Sequence, residues 1–351
     1  MFYRRFGPVL LLIPLLLVFL LCFSGVLNAA AGNTELSEAG YKEDINGNGK
    51  QNITDVIALL LLGRDNPSDP RADYDGNGSY AVNDAIALLL NIMSGNLTPL
   101  EQETHSPGDT VNIQGILNMA YIPEGNFLMG GEDGDADERP IHRIYLDAFW
   151  MSVTEITQAQ YENLTGTNPS YWKDKPTNPV ENVSWYDAVT FCNKLSELAG
   201  FEPCYDLLNW KCDFSKNGFR LPTEAEWEYA CRAGTSTKYY ISDLEDDLYI
   251  AGWYYDNSGG DQQPVAEKIP NRWKLYDMHG NVWEWCNDRY DENYYSNSPD
   301  HNPTGPESGF YRVLRSGCAC ADAYYHRSAN REYASPTSRD QTIGIRIVRH
   351  P

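Results

Sequence analysis

The chain has 351 residues, enough for one large domain and one small one, and it carries 27 lysines and arginines against 49 aspartates and glutamates. Its formal charge of −22 repels phosphate backbones and argues against nucleic acid as a partner, whereas abundant carboxylates suit calcium. Aromatic residues make up 13 % of the chain, enough to fill a core and still present rings to a ligand.

Residues 1–31 have the pattern of an export signal. Arg4 and Arg5 precede an apolar run from Val9 to Phe23, and the small residues Ala29–Ala31 form a cleavage region. An uncleaved membrane anchor is the alternative. We therefore expect a secreted protein, extracellular or periplasmic, with no stable membrane span once the signal is removed.

Two copies of one loop pattern follow, from Asp44 to Asp55 and from Asp73 to Asp84. Each has oxygen-bearing side chains at its first, third, fifth and last positions, a glycine at the sixth, and an apolar helix pattern after it. Calcium takes about six or more oxygen ligands around a sharp turn, and this spacing supplies them. Ordinary Asn/Gly-rich turns are the alternative. The predicted Ca²⁺ ligands are Asp44, Asn46, Asn48, the carbonyl of Lys50 and Asp55 in the first loop, and Asp73, Asp75, Asn77, the carbonyl of Ser79 and Asp84 in the second.

This repeat, residues 41–96, resembles dockerin type I modules, which are small all-α calcium-binding units. The resemblance implies a cohesin domain as partner. Recognition would fall on the tenth and eleventh positions of each loop, which are Ile53, Thr54, Val82 and Asn83. A core this small is expected to fold only with its metal. The polar segment 97–117 then reads as a linker, and the activity lies in residues 118–351.

Three helices are predicted within residues 118–351 from helical periodicity and capping boxes. Their predicted caps and ends are Thr157 with Gln160, Ser184 with Asp187 and Gly200, and Thr223 with Glu226 and Gly234. Short β-type runs and loops rich in glycine, asparagine and proline surround them. We therefore predict an irregular α+β domain.

The chain has 8 cysteines, and because Cys22 lies in the signal an odd number remains after cleavage. At least one cysteine then lacks an intramolecular partner. Cys204 and Cys212 flank a short insertion and are the best disulfide candidates. Three others, in apolar or aromatic contexts, are predicted to be buried: Cys192, Cys231 and Cys286.

Several segments, in order, resemble the sulfatase-modifying-factor family: "YIPEGNFLMGG", "NPVENVSWYDAVTFCNKLS", "FRLPTEAEWEYACRAG", "DMHGNVWEWCND" and "RVLRSG". This is the formylglycine-generating-enzyme domain, a variant of the C-type lectin fold. The resemblance implies a further calcium site, with Asp277 and Glu284 ligating by side chain and Gly280 and Val282 by carbonyl. The alternative is a tight turn whose acidic residues cap main-chain amides.

The enzymes of that family oxidise a substrate cysteine with a copper ion held by two cysteines that four residues separate. This chain has Cys318 and Cys320 instead, with one residue between them. On an extended backbone their thiolates would face the same way and could still hold Cu⁺. Ordinary loop cysteines or a strained disulfide are the alternatives, so we assign no catalytic residue.

The end of the chain alternates a framework, "RSANR" and "IGIRIV", with positions whose residue types all arise when the adenines of an asparagine codon are replaced. Glu332 and Gln341 do not follow this rule. The segment resembles the variable proteins of diversity-generating retroelements, and its Tyr and Ser content is that of an adaptable paratope. The candidate ligand-binding residues are Cys320, Ala321, Asp322, Tyr324, Tyr325, Tyr333, Ala334, Ser335, Thr337, Ser338, Asp340 and Thr342.

The sequence thus predicts an exported, dockerin-tethered, lectin-like module that binds an unidentified protein or glycan between Ser316 and Thr342. A copper-dependent formylglycine-generating oxidase acting on sulfatase cysteines is the first alternative. An accessory role in polysaccharide breakdown through a cohesin scaffold is the second.

Overall fold

The computed structural model describes residues 105–351, which form one compact unit. The predicted signal, both predicted calcium loops, the predicted cohesin-facing residues Ile53, Thr54, Val82 and Asn83, and most of the predicted linker lie outside the described residues. Those predictions are therefore untested. Within residues 105–351, no helix has both the length and the apolar character needed to cross a membrane.

Two four-stranded sheets and two short hairpins carry the domain. The strands are β1 (Thr110–Ile113), β2 (Leu117–Ile122), β3 (Gly125–Met129), β4 (His142–Leu146), β5 (Phe149–Ser152), β6 (Tyr205–Asp206), β7 (Lys211–Cys212), β8 (Trp283–Arg289), β9 (Arg312–Arg315), β10 (Glu332–Ala334), β11 (Ile343–Gly344) and β12 (Val348–Arg349). The first sheet has the order β1-β2-β5-β12. The last strand of the chain therefore pairs with β5, which lies in the first part of the described domain. The second has the order β10-β9-β8-β11, with β11 parallel to β8. β3 pairs with β4, and β6 with β7.

The folded domain begins earlier than predicted. β1 lies inside the segment assigned to the linker, where it pairs antiparallel with β2 in the register Thr110 to Ala120 and Ile113 to Leu117. The segment is polar because three of the four residues of β1 are exposed, and only Ile113 is buried. A strand at the edge of a sheet with one inward residue has the composition of a loop. The upper boundary of the predicted linker is therefore wrong.

Five α-helices connect the strands: α1 (Gln158–Thr165), α2 (Trp185–Ala199), α3 (Glu224–Arg232), α4 (Glu245–Ala251) and α5 (Tyr255–Ser258). Short 3₁₀ helices span Ala136–Glu138, Tyr294–Ser296 and Ala323–His326. The three predicted capping boxes are confirmed at the start of α1, α2 and α3. Helix α3 ends at Arg232, and its C-cap is Ala233 in the left-handed region, one residue before the predicted Gly234.

Aromatic residues join α2 to β8 at the centre of the domain. Trp185 Nε1 donates to the carbonyl of Cys286 at 3.0 Å, and Trp285 Nε1 donates to the carbonyl of Val183 at 2.9 Å. Because buried indole N–H groups need acceptors, these two bonds fix the position of α2 relative to the sheet that contains β8. The predicted burial of Cys192, Cys231 and Cys286 is confirmed. Cys204 and Cys212 are both thiols here, and hydrogen bonding with Cys212 lowers the pKa of Cys204.

Candidate functional site

The C-terminal segment separates into buried framework residues and accessible positions. Arg327–Arg331 and 343–348 are buried, as are Ser316–Ala319 at the start of the segment. None of the candidate ligand-binding residues is buried: Cys320, Asp322, Tyr324, Tyr325, Tyr333, Thr337 and Asp340 are exposed, and Ala321, Ala334, Ser335, Ser338 and Thr342 are half-buried. The structure therefore brings the predicted residues to one accessible stretch that begins at Cys320 rather than at the predicted Ser316.

Buried ion pairs anchor the framework of this segment to α3. Arg315 contacts Glu224 at 3.0 Å and Glu228 at 2.8 Å, while Arg331 Nε lies 2.7 Å from Glu224. Although burial raises it, the charges of Arg331 and Arg315 hold the pKa of Glu224 below its ordinary value. The chain between these two arginines therefore has fixed ends.

A second anchor holds the middle of the segment. Arg327 donates to both oxygens of Glu138, at 2.7 and 2.8 Å, and its guanidinium lies 4.1 Å from the centre of the Tyr324 ring. His326 is buried, with its ring nitrogens 3.0 Å from the carbonyl of Asp322 and 3.1 Å from that of Cys318. Burial lowers the pKa of His326 to about 4, while the hydrogen bonds to the carbonyls of Asp322 and Cys318 act in the opposite direction. These contacts present Tyr324 and Tyr325 on a rigid turn.

An aromatic cluster that the sequence reasoning missed extends the surface. Tyr333 on β10 stacks on Tyr290 with ring centres 4.2 Å apart and contacts Tyr311 at 4.9 Å. Phe310 lies against Tyr311 and is 67 % exposed. These three added residues lie before the C-terminal segment, and the pairing of β8, β9 and β10 brings Tyr290 and Tyr311 beside Tyr333. The signal available in the sequence was the "GFYR" run just before β9.

Cys318 and Cys320 lie at the edge of the accessible stretch. Cys318 is buried and Cys320 is exposed, on a turn closed by the bond from Ala321 N to the carbonyl of Cys318 at 2.9 Å. Hydrogen bonding with Cys318 lowers the pKa of Cys320 to about 7, so this thiol is more acidic than an ordinary cysteine. Surface cavities of about 480 and 170 Å³ lie around α1 and around Gly130 and Lys238, and neither is lined by these cysteines.

The residues of the predicted domain calcium site are placed as follows. Asp277 is buried, its Oδ2 accepts from Ala266 N at 2.7 Å, and its Oδ1 has no hydrogen-bond partner. The carbonyl of Gly280 accepts from Ser316 Oγ at 3.1 Å, and Val282 is buried beside it. Glu284 accepts from Arg346 with both oxygens, at 2.9 and 3.0 Å, and from Trp227 Nε1 at 2.6 Å.

Asp277 therefore fits a calcium ion and Glu284 does not. Asp277 has a carboxylate oxygen free to ligate, whereas the oxygens of Glu284 are occupied by two other side chains. Within residues 105–351, no group of three or more His, Cys, Asp or Glu side chains is arranged to hold a metal ion. The ligand set carried over from the family is thus incomplete in this chain.

A buried carboxylate supports the loop next to the candidate surface. Glu181 Oε1 accepts from Trp172 N at 3.2 Å, its Oε2 has no partner, and Asn182 N donates to the carbonyl of Asp340 at 2.9 Å. Tyr171 and Trp172 above it are exposed. Burial raises the pKa of Glu181 to about 7. The protonated form therefore favours the fold, fully below the unfolded-chain pKa of about 4.3, and this contribution is lost as the pH rises through 7.

We expect Glu181→Gln to raise the unfolding midpoint above pH 7 by a few degrees and to leave it nearly unchanged below about pH 4.3. The amide keeps an acceptor for Trp172 N and removes the cost of the buried charge. Thermal unfolding across this pH range, with the exposed Glu197→Gln as control, measures the difference. A variant less stable than the wild type at high pH would contradict this account.

Comparison with known proteins gives four informative likenesses. Residues 108–351 match the model of the sulfatase-modifying factor enzyme 1-like domain. The serine/threonine-protein kinase pkn1 of Chlamydia caviae is 31 % identical over 265 residues, covering 67 % of this chain and 38 % of that protein, so this chain spans well under half the kinase's length. The formylglycine-generating enzyme of Streptomyces coelicolor is 28 % identical over 313 residues, covering 69 % of this chain and 92 % of the enzyme. Among solved structures, Treponema denticola variable protein 1 aligns with a TM-score of 0.64 at 34 % identity, covering 69 % of this chain and 99 % of that one.

Proposed function

Since the chain belongs to the sulfatase-modifying factor enzyme 1-like family, we propose that it uses the family's fold to display a ligand-binding, diversified surface on an exported, dockerin-tethered protein. The predicted C-type-lectin-like α+β fold of the large domain is confirmed by the family match and by the likeness to the Treponema variable protein. Fold alone leaves the activity open, because one fold hosts many sites.

One observation carries the proposal: along the C-terminal segment, all the candidate ligand-binding positions are accessible. Each of these twelve positions is exposed or half-buried, while "RSANR" and "IGIRIV" are buried. Exposed positions away from special contacts tolerate substitution within about 0.5 kcal/mol, whereas buried ones do not. A diversified segment requires this separation, and an ordinary surface loop does not.

The chemistry of the surface suits recognition. Tyr324, Tyr325 and Tyr333 are each about two-fifths exposed, so each ring is held on one side and free to contact a ligand on the other. Tyrosine provides a large amphipathic contact area at low entropic cost, and serine and threonine add adaptable hydrogen bonds. The ligand would be a protein or a glycan, and calcium would stabilise the module that presents it.

The DNA around the gene tests whether the C-terminal segment arose by diversification. We expect a near-copy of the codons for residues 320–342 close to the gene, with adenines at the variable positions, beside a reverse transcriptase. A matched control is the stretch that encodes 343–348, which should be identical in the two copies. Absence of such a copy would contradict diversification. The binding surface would then be one that does not vary.

A second candidate, the copper-dependent oxidase, is favoured by the contact between Cys318 and Cys320. Soft thiolates bind Cu⁺, and Cys320 is exposed with a lowered pKa. Stoichiometric Cu⁺ uptake that disappears in the Cys318→Ala, Cys320→Ala double variant, together with turnover of a sulfatase peptide, would establish it. A wild type that neither takes up Cu⁺ in stoichiometric amount nor turns over a sulfatase peptide would exclude the oxidase and leave the first proposal standing.

A further inference from the structure

A surface cavity of about 480 Å³ next to α1 is lined mainly by polar side chains. Its volume falls within the range of about 300–1,000 Å³ that is usual for small-ligand sites. Such sites are mostly apolar, whereas the apolar members of this lining are Ala159 and Pro176. A hydrophobic ligand therefore gains little here, and a ligand rich in hydrogen-bonding groups fits better.

Four charged side chains in this lining are available to a ligand. Glu162, Lys173, Asp174 and Lys175 are exposed, and within residues 105–351 none of their side chains forms a hydrogen bond or an ion pair with another group. Two positive charges balance two negative ones, so the cavity has no net charge with which to select an ion. It offers both donors and acceptors, which suits the hydroxyl groups of a neutral carbohydrate, since each hydroxyl donates and accepts.

Two exposed aromatic residues stand in the loop that borders the cavity. Tyr171 is 65 % exposed and Trp172 is 44 % exposed, and Trp172 directly precedes the lining residue Lys173. The two rings meet nearly at right angles, with their centres 4.9 Å apart. Because an aromatic face is electron-rich, it attracts the polarised C–H bonds on the flat face of a sugar ring. The aromatic pair thus adds the apolar contact that a carbohydrate needs beside a polar cavity.

Buried polar side chains hold the main chain of Trp172 from both sides. Trp172 N donates to Glu181 Oε1 at 3.2 Å, and Gln158 Nε2 donates to the carbonyl of Trp172 at 2.9 Å. Glu181 and Gln158 are at most 2 % exposed. Asn168, which lines the cavity, donates through Nδ2 to Gln158 Oε1 at 3.0 Å. An exposed ring on a main chain fixed in this way is preorganised, which reduces the entropy lost when a ligand binds.

We propose that the cavity beside α1, together with Tyr171 and Trp172, binds a neutral carbohydrate. A sugar ring stacks on Trp172, and its hydroxyls bond to the charged side chains of the cavity. This site is separate from the accessible stretch that begins at Cys320, and the proposal does not rest on the proposed function.

Titration calorimetry of the full chain with short neutral oligosaccharides of glucose, galactose, xylose and mannose tests the site, with oligogalacturonate as the charged comparison. We expect at least one neutral oligosaccharide to bind, and to bind more tightly than oligogalacturonate. Trp172→Ala should weaken its affinity about tenfold or more, because it removes the stacked ring. Trp172→Phe should retain most of the affinity, since it keeps an aromatic face. Tyr249→Ala, at an aromatic residue of α4 that is 56 % exposed and outside the cavity lining, is the matched control and should bind as the wild type does.

A second variant tests the polar part of the site. Glu162→Ala combined with Asp174→Ala removes both carboxylates from the cavity and should also weaken the affinity about tenfold or more. Thermal unfolding separates loss of the site from loss of the fold. Because all the replaced side chains are exposed, the unfolding temperature should change little in each variant.

Three results would overturn the proposal: no binding of any neutral oligosaccharide, equal or tighter binding of oligogalacturonate, or unchanged affinity in Trp172→Ala. A variant of the accessible stretch, Tyr325→Ala with Thr337→Ala and Ser338→Ala, should keep the affinity of the wild type. Loss of binding in that variant, with full affinity in Trp172→Ala, would place the carbohydrate on the C-terminal segment instead. That result would support the proposed function while it overturned this inference, so the two fail separately.

Discussion

Replacement of Glu224 by glutamine is expected to lower the free energy of unfolding by about 3–5 kcal/mol, because it leaves the buried Arg331 without a compensating charge and removes one of the two carboxylates that contact Arg315. Arg315 retains Glu228, but Arg331 has no other buried carboxylate among its contacts, only the carbonyls of Asp137 and Asp291. Removing one member of a buried charge network costs far more than the network contributes over an apolar replacement.

The opposite expectation holds for the accessible positions. A triple variant with Tyr325→Ala, Thr337→Ala and Ser338→Ala should change the free energy of unfolding by no more than about 0.5 kcal/mol for each substitution. Urea unfolding of both variants, with Glu197→Gln as the control for an exposed carboxylate, measures the contrast. Equal losses in the Glu224 variant and in the triple variant would contradict the separation of framework from surface on which the proposed function depends.

Local features of this domain could be predicted from the sequence. Thr157, Ser184 and Thr223 begin helices because each cap is satisfied within three residues, and short-range hydrogen bonds leave a readable pattern. The family motifs fixed the fold class for a similar reason, since they occur in order along the chain. The candidate ligand-binding positions of the C-terminal segment, chosen from the sequence, are all exposed or half-buried in the structure.

Interactions between distant residues could not be predicted. Glu224 and Arg331 are 107 positions apart, and Glu284 and Arg346 are 62 apart, so no local pattern pairs them. Glu284 was assigned to calcium because its motif matches the family, but its oxygens are occupied by Arg346 and Trp227.

The proposed function depends on this difference between local and long-range contacts. A ligand surface that varies must rest on contacts that do not, and here those contacts are long-range ion pairs rather than the local turn. Arg315, Arg327 and Arg331 each direct their charge inward to Glu224, Glu228 or Glu138. The accessible side chains between these arginines are then free to change without loss of the backbone path.

Substitution of Gly280 by alanine is expected to be the most damaging change to the turn that supports this segment. Gly280 has φ +110°, and an added Cβ would lie 2.0 Å from the carbonyl oxygen of Trp253. That oxygen accepts from Asn281 N at 3.0 Å, so the main chain cannot move away without breaking this bond. Backbone strain and overpacking together predict a loss of about 2–6 kcal/mol.

Gly166→Ala is the matched control. Gly166 caps α1 with φ +80° and has no atom within 4 Å of an added Cβ, so it carries the conformational strain without the close approach. It should lose about 1 kcal/mol. Thermal and urea unfolding of both variants separate the two causes. Because Gly280 N also donates to Ser316 Oγ, its variant should in addition expose Cys318 to thiol reagents. A Gly280 variant as stable as the Gly166 variant, with Cys318 still protected, would show that the turn before β8 does not set the position of the candidate surface.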